Sequence, residues 1–153
     1  MGDTEKGIWG AAITQDVYDF FVKTKLQNYK NFVDLGSGDG KVVLIASLFG
    51  VDATGIEFDM ELVKDGINIK EELGLKANFI SGDFLQQDLS KYDFIFINPD
   101  KGFENKTEDK LLKEISPKTK LFVYNNIFLP RFLKKGKTYL FDGIPVISYR
   151  KSV

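Results

Sequence analysis

The sequence contains no cysteine and no histidine among its 153 residues. Without cysteine there can be no disulfide, no thiolate nucleophile and no iron–sulfur cluster, and with histidine also missing no Cys/His zinc site can be built. A Ser-His-Asp triad and a histidine general base are excluded as well. Any chemistry therefore rests on carboxylates, lysine, tyrosine, backbone dipoles or a bound cofactor, and no metal is expected. Long apolar runs are also lacking. None reaches the length of a membrane span, and the opening "MGDTEKG" has no basic stretch leading into an apolar one. A soluble, cytoplasmic protein without membrane contact is expected. An excess of either charge is missing too: 21 Lys and Arg face 22 Asp and Glu, for a net charge of −1. A free-standing nucleic-acid binder usually shows a basic surplus, so nucleic acid is not the favoured partner. Lysines do gather at 131–137, "RFLKKGK", which reads as a solvated helix end whose dipole they complement.

What is present is an alternation of helical and strand patterns in a chain long enough for one domain, 1–153, with an N-terminal loop and helix over 1–29 and a core over 30–153. Residues 13–28 place Val17, Phe20, Phe21 and Leu26 near one helical face, with Thr14 as a cap. Residues 31–35 form a short apolar strand, and "KVVLIASLFG" after Gly40 reads as an apolar helix ending near Gly50. A second strand is expected at 53–58. A helix follows at 60–74, with Leu62, Val63, Ile67, Ile69 and Leu73 inward and Gly74 closing it. Further strands are expected at 77–83, 92–99 and 120–125, with a short helix at 106–115 stopped before Pro117. "KTYLF" and "IPVISY" flank Asp142-Gly143, a hairpin signal. The pattern predicts an α/β fold: five β/α units in a doubly wound, mostly parallel sheet with helices on both faces, closed by a C-terminal antiparallel hairpin.

The first strand runs into "DLGSGDG", residues 34–40. A glycine-rich βα turn lets a ligand meet the backbone at a helix N-terminus. The glycines at 36, 38 and 40 follow G-x-G-x-G, whereas the dinucleotide fingerprint is G-x-G-x-x-G and its third glycine would fall at Lys41. That departure disfavours a dehydrogenase. Asp34, at the strand end, offers nothing to a pyrophosphate, but a carboxylate there can take up the ammonium of a cofactor with an amino-acid head.

Asp34-x-Gly36-x-Gly38-x-Gly40 resembles the first motif of the class I, seven-strand S-adenosylmethionine-dependent methyltransferases, and the resemblance runs from about residue 30 to the end of the chain. It implies a Rossmann-like fold and S-adenosylmethionine as cofactor, with Asp34, Gly36, Ser37, Gly38 and Gly40 forming the loop around it. Glu57, ending the second strand, would accept the ribose hydroxyls, and Phe58 would flank the adenine. Asp83 would bind the adenine amino group, with Phe84 packing on the ring. Asn98-Pro99 would face the methyl group. All these positions fall at carboxyl ends of successive strands, where open α/β sheets bind ligands.

For the methyl acceptor, Asn98-Pro99-Asp100-Lys101 resembles the Asn-Pro-Pro-aromatic motif of enzymes that methylate planar amino groups. It has Asp in place of the second proline and Lys in place of the ring. "DLGSGDGKVVLIAS", "GIEFDMELV" and "LLKEISPKTKLFVYN" are more similar to small protein-lysine methyltransferases. These comprise the archaeal and mitochondrial enzymes and the core of the disruptor-of-telomeric-silencing histone methyltransferases. That resemblance implies a protein substrate. A lysine amine needs only deprotonation and alignment, so no histidine base is required. Asn98 and Tyr124 are the candidate catalytic residues, with Trp9, Phe103 and Asn125 completing a channel. Two alternatives stay open: a nucleic-acid amino-group methyltransferase and a non-catalytic cofactor-binding scaffold. The oligomeric state is not indicated.

Overall fold

A computed structural model describes residues 14–98, 105–125, 130–141 and 143–152. Helix α1 occupies 14–24, followed by a left-handed residue, Lys25, and a single 3-10 turn Leu26–Asn28. Thr14 is already helical and so is not the cap that the sequence suggests. Then come β1 (Asn31–Leu35), α2 (Lys41–Ser47), β2 (Asp52–Glu57), α3 (Met60–Leu73), β3 (Asn78–Ser81), β4 (Phe94–Ile97), α4 (Asn105–Glu114), β5 (Lys120–Tyr124), β6 (Lys134–Phe141) and β7 (Ile144–Arg150). The seven strands form one sheet in the order β3-β2-β1-β4-β5-β7-β6. The first five pair in parallel. β7 runs antiparallel between β5 and β6. The expected architecture is thus present, with the terminal hairpin inserted so that its second strand lies inside the first.

Strand alternation divides the core between the two faces of the sheet. On one face Phe32, Phe94, Phe96, Phe122 and Val146 pack against Phe20 and Phe21 of α1 and Val43, Leu44 and Ala46 of α2. The rings do much of the filling: Phe94 stacks on Phe122 at 4.3 Å, and Phe20 meets Phe94, Phe96 and Phe122 edge-on. On the other face Val33, Leu35, Ile56, Ile95, Ile97 and Val123 pack against Leu111 and Ile115. β4 is buried along its whole length, as its unbroken apolar run predicts. Among the described residues no helix is long and apolar enough to cross a membrane.

Three expectations need correction. Residues 131–137 are not a helix end: 131–133 form a bend, and Lys134–Phe141 is the edge strand β6. Pairing with β7 from Lys134↔Arg150 onward captures the segment, and at Gly136 a Cβ would collide with Ser148 Oγ at 2.5 Å. Leu73 is 61% exposed, because the inward line of α3 runs through Val63 and Gly66 and has turned away from the sheet by the last turn. The third strand is followed by a 3-10 turn, Phe84–Gln86, so that β/α unit is missing its α-helix.

Candidate functional site

The carboxyl ends of β2, β1, β4 and β5 bring the expected residues into one row. Register pairs Glu57 with Ser81, Leu35 with Ile97, and Ile97 with Val123. Gly36, Asn98 and Tyr124 therefore follow at the same level. Asp34 lies two residues further down β1, opposite Gly55 on β2 and Phe96 on β4.

The loop 36–40 is built from bonds to β2. The N–H groups of Gly36 and Ser37 both donate to Ile56 O, at 2.8 and 3.0 Å, and Gly40 N donates to Ser37 O at 3.0 Å. Gly38 N donates to Glu57 Oε1 at 2.7 Å. Four donors that could have cradled an anion are thus used within the protein. Such a loop does not suit a pyrophosphate, in agreement with Lys41 at the third-glycine position. The close approach falls instead on Gly40, at φ +88°: a Cβ there would lie 2.5 Å from Phe79 Cε1.

Beneath the loop the site is acidic. Asp34 is 3% exposed, and its Oδ1 has no hydrogen-bond partner among the described residues; Ser37 Oγ is likewise buried and unpartnered. Burial first, then the negative charges of Glu57 and Asp39, pushes the Asp34 carboxyl well above the ordinary carboxylate range. A buried acid among acids, with an unused acceptor, suits a cationic group. Glu57 uses one lone pair of each oxygen, Oε1 on Gly38 N and Oε2 on Asp59 N at 2.9 Å. One acceptor site remains on each.

Asp83 Oδ1 accepts from Leu85 N at 2.9 Å and caps the 3-10 turn, so its outward oxygen is held at a fixed angle. Phe58 stands 79% exposed beside Glu57, whereas Phe84 is half-buried against the second core. Asn98 is exposed just beyond β4. Tyr124 is half-buried, its ring 5.1 Å from Phe141 and 6.5 Å from Phe96. Asn125 adopts φ +72°, which asparagine tolerates, and donates its N–H to Pro145 O at 2.7 Å. Trp9, Pro99, Asp100, Lys101 and Phe103 lie outside the described residues.

The family described as "Histone methylation protein DOT1" matches residues 4–142. The chain belongs to that family. Among curated relatives, a lysine N-methyltransferase of Caenorhabditis elegans, named for a component of ATP synthase, is 39% identical over 39% of this chain and 33% of its own length. The "Histone-lysine N-methyltransferase, H3 lysine-79 specific" of Debaryomyces hansenii is 25% identical over 95% of this chain and 14% of its own length. The chain thus spans a third or less of the curated relatives it matches. A solved RNA methyltransferase from Salinibacter ruber, in complex with S-adenosyl-L-homocysteine, superposes with a TM-score of 0.72 at 22% identity. The match covers 90% of this chain and 91% of that one. This likeness places the DOT1-family chain in the Rossmann-like methyltransferase fold.

Two glycines that shape the site, and a buried acid away from it, carry no mark in the sequence pattern that assigns them a role. Gly55 lies in mid-strand, where a Cβ would meet Ser37 Oγ at 2.6 Å, and Gly66 lies in mid-helix, where a Cβ would meet Asp39 O at 3.0 Å. Together they let the loop settle between β2 and α3. A glycine inside an otherwise regular strand or helix is itself the signal of such an approach. The acid is Glu108 of α4, buried, whose carboxylate accepts from Arg131 N, Phe132 N and Leu133 N at 2.8, 2.7 and 3.0 Å. It pins the bend that leads into β6, and no spacing in the sequence announces it.

Proposed function

We propose that this chain is an S-adenosylmethionine-dependent methyltransferase whose acceptor is the side-chain amine of a protein lysine. The observation that carries the reading is the buried, unpartnered Asp34 Oδ1 under a loop four of whose N–H donors are already engaged, in a chain of this family. The donor set fits the cofactor: a carboxylate for its ammonium, Glu57 with one open acceptor per oxygen for a ribose diol, exposed Phe58 for an adenine face, and Asp83 for an exocyclic amine. Bound there, S-adenosylmethionine supplies an electrophilic methyl group. Gly36 and Gly38, at φ +80° and +58° with nothing within 4 Å of a Cβ position, leave that side of the loop open.

At the acceptor side, Asn98 presents an amide to the incoming amine and can orient its lone pair. Tyr124, backed by Phe96 and Phe141, supplies an aromatic wall. An apolar wall favours the neutral amine, which is the reactive form. Holding a neutral amine in line can supply most of the acceleration, so no histidine is needed. The two curated relatives are named as lysine methyltransferases, which supports lysine over a nucleobase amine. The test is incubation with methyl-labelled cofactor and whole-cell extract, with parallel protease and nuclease digestion. Label released by protease supports the reading; label released by nuclease alone, or no label, contradicts it.

A further inference from the structure

The net charge of −1 conceals a strongly bipolar chain. Eight of the 21 basic residues lie in 115–153, where Asp142 is the one acid of the sequence; residues 1–114 carry 13 basic against 21 acidic. In the fold this divides the sheet, with the basic part on β5, β7 and β6.

Register concentrates it further. Phe94 of β4 faces Lys120 of β5, Leu121 faces Tyr149 so that Lys120 stands beside Arg150 of β7, and Arg150 faces Lys134 of β6. Phe122 and Val146 belong to the α1/α2 face, and Leu121 and Tyr149 to the other. By alternation Lys120, Arg150 and Lys134 therefore share the α1/α2 face. At about 4.8 Å per strand, three cations form a row of about 10 Å. Lys118 precedes Lys120 just outside β5, and Lys135 follows Lys134 but faces Tyr149 on the other side of the sheet; both are exposed. None of these five forms an ion pair among the described residues, where the bridges are Lys41–Asp39, Lys64–Glu61 and Lys110–Glu114. Asp93, at the start of β4, is taken up by Lys30 N and Asn31 N.

Lysines on an edge strand ordinarily guard against edge-to-edge pairing. That explains Lys134 and Lys135 but not Lys120 or Arg150, which sit on the interior strands β5 and β7. Like charges directly opposite one another destabilise a sheet, so the row is a standing cost unless an anion neutralises it. We infer that this row is a docking surface for the phosphate backbone of nucleic acid, bound without sequence preference. An anionic membrane is the poorer fit. The exposed large apolar side chains Tyr18, Val22 and Leu48 lie on α1 and at the end of α2, Phe58, Met60 and Leu73 around α3, and Leu140 at the far end of β6. Among the described residues none of them lies on β5 or β7, the strands that carry Lys120 and Arg150, so no continuous apolar face underlies the row. The row lies at the amino-terminal ends of the parallel strands, opposite the Asp34–Glu57 site, so a docked polyanion leaves that site open. The inference does not depend on which acceptor is methylated.

The test is fluorescence anisotropy of the full chain with a labelled duplex DNA of about 30 base pairs. The same protein is tested with vesicles containing phosphatidylserine. With about four phosphates engaged, affinity should fall roughly 100-fold between about 50 and about 200 mM salt. K120Q/R150Q/K134Q should weaken binding at least about 10-fold while leaving S-adenosylhomocysteine binding unchanged. Lys134→Gln alone, on the exposed edge, should lower the salt slope by about one and raise the melting temperature, which keeps the test open if the triple variant folds poorly. No binding at low salt overturns the inference. So does unchanged binding by a folded triple or single variant, or binding to vesicles without binding to duplex.

Discussion

Glu57 Oε1 accepts the Gly38 N–H at 2.7 Å, so the carboxylate that ends β2 also fixes the tip of the glycine loop. One side chain thereby couples loop geometry to the acceptor sites that would face a ribose. Glu57→Gln keeps one oxygen and replaces the other by a donor that opposes either Gly38 N or Asp59 N. We expect a loss of about 1–2 kcal/mol in stability and at least about a 10-fold weaker affinity for S-adenosylhomocysteine, since bonds to a charged acceptor are worth about 1.5–3 kcal/mol. Chemical denaturation and calorimetry measure the two effects separately.

The two ends of the glycine loop should respond differently to alanine. At Gly40 the left-handed backbone and the 2.5 Å approach of Phe79 act together, and Gly40→Ala should cost about 2–4 kcal/mol of stability. At Gly36 nothing lies within 4 Å, so Gly36→Ala should cost only the backbone term, about 1–2 kcal/mol. Its methyl would project into the open side of the loop, and cofactor affinity should fall by more than stability does. Urea midpoints and calorimetric titration of both variants check this contrast.

Asp34 should make stability depend on pH in an unusual direction. Its folded-state carboxyl is held well above the 3.8 of an ordinary aspartate, so from about pH 4 upward the folded chain holds a proton that the unfolded chain releases. Stability from this group is therefore highest at low pH and declines as pH rises toward the raised value. Asp34→Asn removes the titration. The variant should gain stability relative to the parent between mildly acid and neutral pH, yet bind the cofactor more weakly. Denaturation midpoints of both proteins at about pH 5 and about pH 8 decide it.

Glu108 carries a structural prediction away from the loop. Glu108→Ala leaves three backbone N–H groups without their acceptor, that of Leu133 in a buried place. A loss of about 3 kcal/mol is expected, with faster hydrogen exchange at Arg131, Phe132 and Leu133.

Most of the fold was legible because buried parallel strands and amphipathic helices leave strong periodic marks. Phe94 to Ile97 is apolar without interruption because both faces are covered, and Asp34, Glu57 and Asp83 could be placed because each ends or follows a strand. What was illegible has a common cause. Residues 131–137 form a bend and the exposed start of an edge strand, where neither face imposes a pattern and only pairing with β7 reveals the strand. Their lysines resemble helix-end charges for the same reason. The near-neutral total hid a row that exists only once register aligns Lys120, Arg150 and Lys134 across three strands. Glu108 and the pair Gly55 and Gly66 act through contacts distant in sequence, which periodicity does not record.

The central claim is methyl transfer to a lysine amine, and mass spectrometry of the acceptor tests it most directly. The chain, incubated with S-adenosylmethionine and extract proteins, should add methyl groups at lysine Nζ, and Asn98→Ala should reduce that labelling at least about 10-fold while cofactor binding persists. Methyl groups found only on nucleobases, or none on any acceptor despite measurable cofactor binding, would contradict it.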